Sequence, residues 1–594
     1  MRYSNKYNCI GIRPLKAIQS FAIYFIIWAL TIAVLVTIVD VQDNNYVLLL
    51  STGKAKTIQP AAAFSPAYFQ SISVFSTTPS ITKVQLPGII PDNNNHSPLA
   101  NTPSPFDLAS TYNASGNNSN NNSNNPPPPP ITHNTRARPS LTGPTLNDPS
   151  LKVERIIDRG FDDPTSMAFL GPNDILLLEK NNGKVHRIVN GKVLPEPVLD
   201  VNVANQAERG LLGIAIANNN DNDSRENGNI RHIFLYYTES GGGKDGDDTS
   251  VSKVNPTATG AGNASAAASN AATRGLYIIP PAGNRLYRYD LDLNNNNDNN
   301  SKLTNPLLLL NLPASPPPQR AGTEKNHNGG KVLIGPDNNV YLGIGDVGGH
   351  RGQSENNPNG TAPDGTGGIL RVTQDGQIVD SPALGTDTIP LSLYYAYGMR
   401  NTFGMDFDPL TGNLWDTENG NTFGDEINLV QPGFNSGWSQ VAGIWKAGSK
   451  PGPVIGADSN NPPKDLVTFD GKGIYRAPEF TWLQTVAPTA LKFLNSDRLG
   501  KQYENTIFVA DVDYGRLYNF RLNEDRTGLA IPSNDGPLVD KVANTPDEMT
   551  KQAGVTIGQG FGVITDMQVG PEDGYLYIIT LQGSLYRIVP NTSE

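Results

Sequence analysis

Two kinds of patterning divide the chain. Residues 21 to 39 are apolar almost without interruption. At helical rise such a run spans roughly 28 Å, about the hydrocarbon thickness of a bilayer. From about residue 151 the pattern changes to short apolar or alternating runs bounded by Gly, Pro, Asn and Asp, the signature of strands joined by turns. The clearest lies at 326–346. His327 leads in through Gly329-Gly330, an apolar strand follows, Gly335-Pro336-Asp337-Asn338-Asn339 turns it, and a second strand ends at Asp346.

That hairpin belongs to a repeat. Residues 165–174 lead into Ile175-Leu176-Leu177-Leu178 and close with Gly183-Lys184-Val185-His186-Arg187-Ile188. Residues 565–574 lead into Tyr575-Leu576-Tyr577-Ile578 and close with Gly583-Ser584-Leu585-Tyr586-Arg587-Ile588, nearly position for position. Further copies start near 332 and 404, and weaker ones near 210 and 490. Six units of four short strands predict an all-β, six-bladed β-propeller of four-stranded antiparallel blades over residues 151–594. Insertions at 241–272, rich in Gly, Ala, Ser and Asn, and an Asn run at 294–300 read as solvated surface excursions.

The flanks set the compartment. Residues 1–16 carry Arg2, Lys6, Arg13 and Lys16 and no acid, so 1–16 reads as a cytoplasmic basic segment. Residues 17–41 read as one N-terminal transmembrane helix, with a cleaved signal peptide and a secreted propeller as the alternative. Residues 42–150 read as a disordered Asn/Ser/Pro-rich stalk, with sequons at Asn113, Asn117 and Asn121 and five prolines at 126–130. The expectation is a single-pass cell-membrane protein with its propeller on the extracytoplasmic side. The lone Cys9 leaves that part without disulfides. The formal charge is −11, or about −15 without the four N-terminal cations, which argues against nucleic acid as a partner.

Propellers bind ligands at one mouth of the channel, on loops carried by rigid blades. Four such loops carry polar groups: Glu208-Arg209-Gly210-Leu211-Leu212-Gly213, His327 with Asp346, Tyr397-Gly398-Met399-Arg400-Asn401, and Glu418-Asn419-Gly420-Asn421 running on to Asp425-Glu426. His327, one of six histidines, is a candidate general base, although an ordinary loop histidine would look the same.

Taken together these motifs resemble the soluble PQQ-dependent glucose dehydrogenases and aldose sugar dehydrogenases. The resemblance rests on His-x-x-Gly before a Gly-Pro-Asp hairpin ending in Ile-Gly-Asp. Gly-Leu-Leu-Gly, Tyr-Gly-x-Arg-Asn, Asp-Glu-Ile-Asn-Leu with a later Gly-Trp, and Val-Ala-Pro add to it, in order, over roughly 155–590. It implies a sugar dehydrogenase that oxidises an aldose at C1 to the lactone, with hydride passing to PQQ held by calcium and electrons going on to an unknown acceptor. His327 would be the base, Asp346 the carboxylate that orients it, and Arg400 and Asn401 the pair at the quinone. The backbone carbonyls of Gly420 and Asn421 would hold calcium, Arg516 would meet a PQQ carboxylate, and Trp482 would flank the substrate. A homodimer is compatible with the resemblance.

Several positions depart from the family pattern. Glu208 with Arg209 stands where a glutamine is usual; the acid would take a substrate hydroxyl or pair with Arg209. Lys331, in place of an arginine, is carried over as a cofactor contact that cannot be bidentate. Lys492 and Asn495 lie near the family's PQQ-contacting lysine without a clear match, and Ser436 stands where a ligand-bearing tyrosine is expected. Two other readings stay open: a non-catalytic binding propeller like the Hedgehog-interacting protein, and a calcium-dependent lactonase-type hydrolase.

Overall fold

The structure, a computed structural model, describes residues 36–41, 45–50 and 137–591, apart from 218–229, 249–279, 294–300, 316–324, 350–351, 445–454, 458–464, 532–535, 537 and 552–553. The chain divides into two units, 1–98 and 99–594. In the first, Val36–Val41 pairs antiparallel with Asn45–Leu50, from Val36 opposite Leu50 to Val41 opposite Asn45. The last six residues of the expected helix at 17–41 are therefore a strand. Their run of Val, Thr, Ile and Val is β-branched, and such side chains lose rotamers in a helix and favour pleated backbone. No helix among the described residues is long and apolar enough to cross a membrane. Residues 1–35, most of the stalk, most of the 241–272 insertion and the 294–300 run lie outside the described residues.

The second unit is an all-β propeller. Blade 2 is Leu211–Ile216, Ile230–Glu239, Gly283–Asp292 and Leu303–Leu312; blade 3 is Val332–Ile334, Val340–Ile344, Gly368–Val372 and Tyr394–Tyr397. Blade 4 is Thr402–Phe407, Leu414–Glu418, Asp425–Val430 and Phe480–Trp482, and blade 5 is Pro488–Phe493, Ile507–Asp511, Arg516–Phe520 and Thr556–Gln559. Blade 6 combines Ile564–Val569, Leu576–Thr580 and Leu585–Pro590 with Leu151–Ile157 from the start of the domain, so the chain closes its own ring. Residues 137–150, assigned to the stalk from sequence, also join: Thr145–Leu146 pairs with Thr556–Gln559, and Asn147 N donates to Ile557 O.

These five blades are complete. The remaining sheet, blade 1, has three full strands, Pro164–Gly171, Asp174–Glu179 and Lys184–Val189, but its edge is only Lys192–Val193 and Leu199–Asp200. The expected six four-stranded blades are thus reduced to five, plus one sheet with a broken edge. Pro195 and Pro197 lie between the two edge pieces, and a residue without an N–H cannot continue a ladder.

Apolar side chains fill each gap between neighbouring sheets, for example Leu212, Phe234, Val340 and Leu370 between blades 2 and 3, and Trp415, Phe480, Leu491 and Val509 between blades 4 and 5. The innermost strands share a device. In blades 1, 2, 4, 5 and 6 the register slips near the start of the first strand. A bulge of this kind leaves a residue unpaired and re-aims its side chain. The slipped residues Thr165, Ser166, Leu212, Phe403, Thr489 and Thr565 converge on the channel axis around a void of ≈ 30 Å³, about the share of one water molecule. Lys331 of blade 3 spans this floor to Asp566 of blade 6, Nζ to Oδ1 at 2.6 Å, both side chains buried.

Candidate functional site

Loops that enter first and third strands, or leave second and fourth strands, all lie at one end of a propeller. Glu208, His327, Asp346, Arg400 and Glu418–Gly420 share that end by this rule, and the hydrogen bonds confirm that they meet. Close backbone approach makes it possible. A Cβ on Gly329 (φ +63°) would sit 2.4 Å from Gly343 O, and one on Gly345 would sit 2.5 Å from Arg400 O and 2.6 Å from His327 O. The glycines flanking the hairpin therefore let the His327, Asp346 and Arg400 backbones pack together.

His327, itself at φ +63°, places Nδ1 2.5 Å from Asp346 Oδ1. Its Nε2 has no hydrogen-bond partner among the described residues, and the side chain keeps 11% exposure. Asp346 is fully buried. Its Oδ1 also accepts from Gly349 N at 3.0 Å, and its Oδ2 from the Trp438 indole Nε1 at 2.9 Å. Burial pushes its carboxyl up, but the adjacent His327 and then Arg400 outweigh burial and hold it below the usual carboxylate range. A carboxylate kept ionised here fixes the proton on Nδ1 and leaves Nε2 a bare acceptor.

Glu208 faces the loop that carries the base. Its Oε2 accepts from His327 N at 2.5 Å and Asn328 N at 3.2 Å, and from Asn401 Nδ2 at 3.2 Å. It braces the base's loop against blade 4. Arg209 turns away to Asp248 Oδ2 at 3.0 Å and to Ala314 O.

Arg400 is buried; its backbone N donates to Glu418 Oε1 at 2.7 Å, and Nη1 donates to Asn419 O at 2.9 Å and Gly420 O at 2.7 Å. Burial draws the guanidinium down from its ordinary value, while Asp346, Glu208, Asp425 and Glu418 hold its charge in place. The ring of Trp438 lies 5.7 Å from its Cζ. Behind it burial pushes Glu418 up to about 7, against the pull of Arg400 N and the Ser436 hydroxyl. Ser436 Oγ donates to Glu418 Oε2 at 2.7 Å, and burial lifts Glu426 and Asp416 well above the usual range too.

The other sequence-derived candidates are not brought here. Trp482 is fully buried in the core, edge-on to Phe480 and tilted against Tyr518, so it does not flank a substrate. Phe480 and Trp482 fall on the same side of a short strand, and packing claims that side. Arg516 shares the end of the propeller but donates to Pro546 O at 2.6 Å, lies near Asp547 and stacks on Tyr514. Lys331 is held by Asp566 in the channel floor rather than facing His327, because strand alternation turns it inward. Lys492 pairs with Asp406 at 3.1 Å beside a cleft of ≈ 650 Å³ that also takes in Asn495 and the 570–574 turn, at the far ends of the strands. Sequence reading missed Trp438; its only signal was the Gly-Trp after the Asp-Glu-Ile-Asn-Leu motif.

The buried Arg400 guanidinium fits an oxygen-rich anionic cofactor. Asn401 Oδ1 and Asn419 Oδ1, buried without a partner among the described residues, are acceptors that a hard cation or a ligand N–H or O–H would satisfy. A hard cation here would rest on carbonyls: Gly420 O, which uses one lone pair on Arg400 Nη1, and the next carbonyl along, Asn421 O. Among the described residues no cluster of three or more His, Cys, Asp or Glu has metal-holding geometry, so a calcium ion here would need oxygens from a bound ligand to complete its shell.

Comparison with known proteins gives the same direction. The aldose sugar dehydrogenase YliI of Escherichia coli (strain K12) is 25% identical over 448 residues, covering 74% of this chain and 93% of that protein. Quinoprotein glucose dehydrogenase B of Acinetobacter calcoaceticus is 35% identical over 150 residues, 23% of this chain and 29% of its own length. A crystal structure of a glucose dehydrogenase shares the fold with a TM-score of 0.50 at 20% identity, covering 74% of this chain and 100% of that one. The profile of the Glucose / Sorbosone dehydrogenase family matches residues 161–269 and 314–587. With its site residues inside those matched stretches, the chain belongs to the glucose/sorbosone dehydrogenase family.

Proposed function

We propose that the protein oxidises an aldose at C1 to the lactone, using PQQ held with calcium at the Arg400–Gly420 corner, and passes the electrons to an external acceptor. The observation that carries this reading is the His327–Asp346 pair, with Nε2 bare, beside the Arg400–Asn401 pair. When bound, PQQ supplies the two-electron acceptor, taking hydride from C1 as the hydroxyl proton leaves. His327 Nε2 takes that proton, and Asp346 stabilises the imidazolium so formed. The Arg400 guanidinium, with Asn401 beside it in the chain, would hold the quinone and stabilise the negative charge that develops on its oxygens. Glu208 holds the base and Asn401 in register rather than binding sugar.

The quinoprotein relative supports the cofactor. A propeller held outside the cell by the N-terminal apolar run is part of the proposal, motivated by the basic flank at 1–16 and the acid-rich remainder. The test is direct. Full-length protein loaded with PQQ and calcium should reduce an artificial dye when given aldoses, and should lose that activity to a chelator. No PQQ-dependent reduction with any aldose, and no retained quinone absorbance, would sink the reading.

A further inference from the structure

Both oxygens of Asp346 are engaged, and they are engaged differently. Oδ1 is shared by His327 Nδ1 and Gly349 N, whereas Oδ2 takes one bond, from the indole of Trp438 at 2.9 Å. An indole N–H can donate but cannot accept. It therefore never competes for the imidazole proton; it fixes the plane of the carboxylate, and with it the lone pair aimed at Nδ1. Trp438 is itself fixed at 5% exposure: its N donates to Gly398 O at 2.9 Å and its O accepts from Asn356 Nδ2 at 2.9 Å. The other face of its function is the ring, 5.7 Å from the Arg400 guanidinium, within cation–π range.

The charged and titratable groups that act on Asp346 are His327, Arg400, Glu355 and Glu418. Glu208 touches the His327 backbone from blade 2. Among the described residues, only the indole donates to Asp346 Oδ2. We infer that Trp438 is a positioning residue: its N–H locks Asp346 so that His327 stays in the Nδ1–H tautomer with Nε2 bare, while its ring sets the place of Arg400. The catalytic arm of this inference rests on the dehydrogenase reading above; the tautomer arm does not.

Trp438→Phe keeps an aromatic face near Arg400 and removes the donor together with the five-membered ring that carries it. In cofactor-free full-length protein with ¹⁵N-labelled histidine, the wild type should show His327 as a single Nδ1–H tautomer and the variant a mixture of both. Loaded with PQQ and calcium, the variant should retain the quinone, lose kcat on the order of tenfold and change KM little, the size expected for one hydrogen bond to a charged group. A variant that keeps the single tautomer and wild-type kcat, even with a lower Tm, overturns the inference. If Trp438→Phe does not fold, Asp346→Asn supplies the converse reading. The Trp438 indole N–H resonance should move upfield more than that of any other of the five tryptophans, and an unmoved signal overturns the inference. Tautomer mixing without any aldose oxidation by the wild type would leave the positioning role intact and reject the dehydrogenase reading.

Discussion

Blades 5, 6 and 1 and blades 2, 3 and 4 are built on the same inner strand and use it differently. In the first group the slipped residue is a threonine that clasps the next blade. Thr489 Oγ1 donates to Ile564 O at 2.5 Å, Thr565 Oγ1 to Pro164 O at 2.8 Å, and Thr165 Oγ1 to Leu211 O at 2.8 Å. In the second group the matching places hold Leu212, Gly329-Gly330-Lys331 and Phe403, and the polar groups sit one loop higher, as Glu208, His327, Asp346, Arg400 and Asn401. One half of the ring turns these three hydroxyls onto the neighbouring blade's backbone; in the other, Asn401 Oδ1 and Asn419 Oδ1 are among the buried side-chain oxygens without a partner among the described residues. Satisfied polar groups rigidify, and unsatisfied buried ones mark where a ligand belongs. The Lys331–Asp566 bridge joins the halves across the channel.

The bridge is the first place to break this contrast. Lys331→Met strands a buried carboxylate and should lower stability by about 3–5 kcal/mol in denaturant titration, with the double variant Lys331→Met/Asp566→Asn recovering part of the loss. The folded fraction should still bind PQQ; a specific loss of quinone binding would restore the cofactor role that the sequence gave Lys331. Next in size is Glu208→Ala, which takes the acceptor from His327 N, Asn328 N and Asn401 Nδ2. A cost of about 1–3 kcal/mol should appear together with reduced kcat, because the brace and the base share a loop. Thr489→Val belongs to the clasping half and should cost about 1 kcal/mol with kcat unchanged. A fall in kcat there would mean the halves are not separable.

The smallest effect is a pH slope in the clasping half. Burial raises Asp511 from an ordinary 3.8 to about 7, despite donors from Tyr518, Tyr514 and Arg516. A carboxyl raised in the folded state binds its proton more tightly there than in the unfolded chain. Its contribution is therefore full below the unfolded value and is lost as pH rises through about 7. Asp511→Asn should flatten the decline in Tm between pH 4 and 7, and an unchanged slope would contradict the assignment. Asp346 has the opposite sign, adding stability above the ordinary carboxylate range and losing it in acid.

The sequence carried the repeat, the hairpin and the five residues that meet at the mouth, because turn chemistry and motif order are local properties. It placed Trp482 wrongly because a three-residue strand does not announce which face is core. Lys331 looked like a cofactor residue because its partner, Asp566, is 235 positions away. Trp438 escaped notice for a similar reason: nothing near it in sequence speaks of Asp346, 92 residues earlier. The end of the apolar run was read as helix from hydropathy alone, where β-branching favoured a strand.

The most direct measurement is steady-state aldose oxidation by His327→Ala with its bound PQQ quantified by absorbance. The account predicts retained quinone and a rate lowered about 10²–10⁴-fold, the usual contribution of a positioned base. Turnover equal to the wild type with the quinone in place would contradict it.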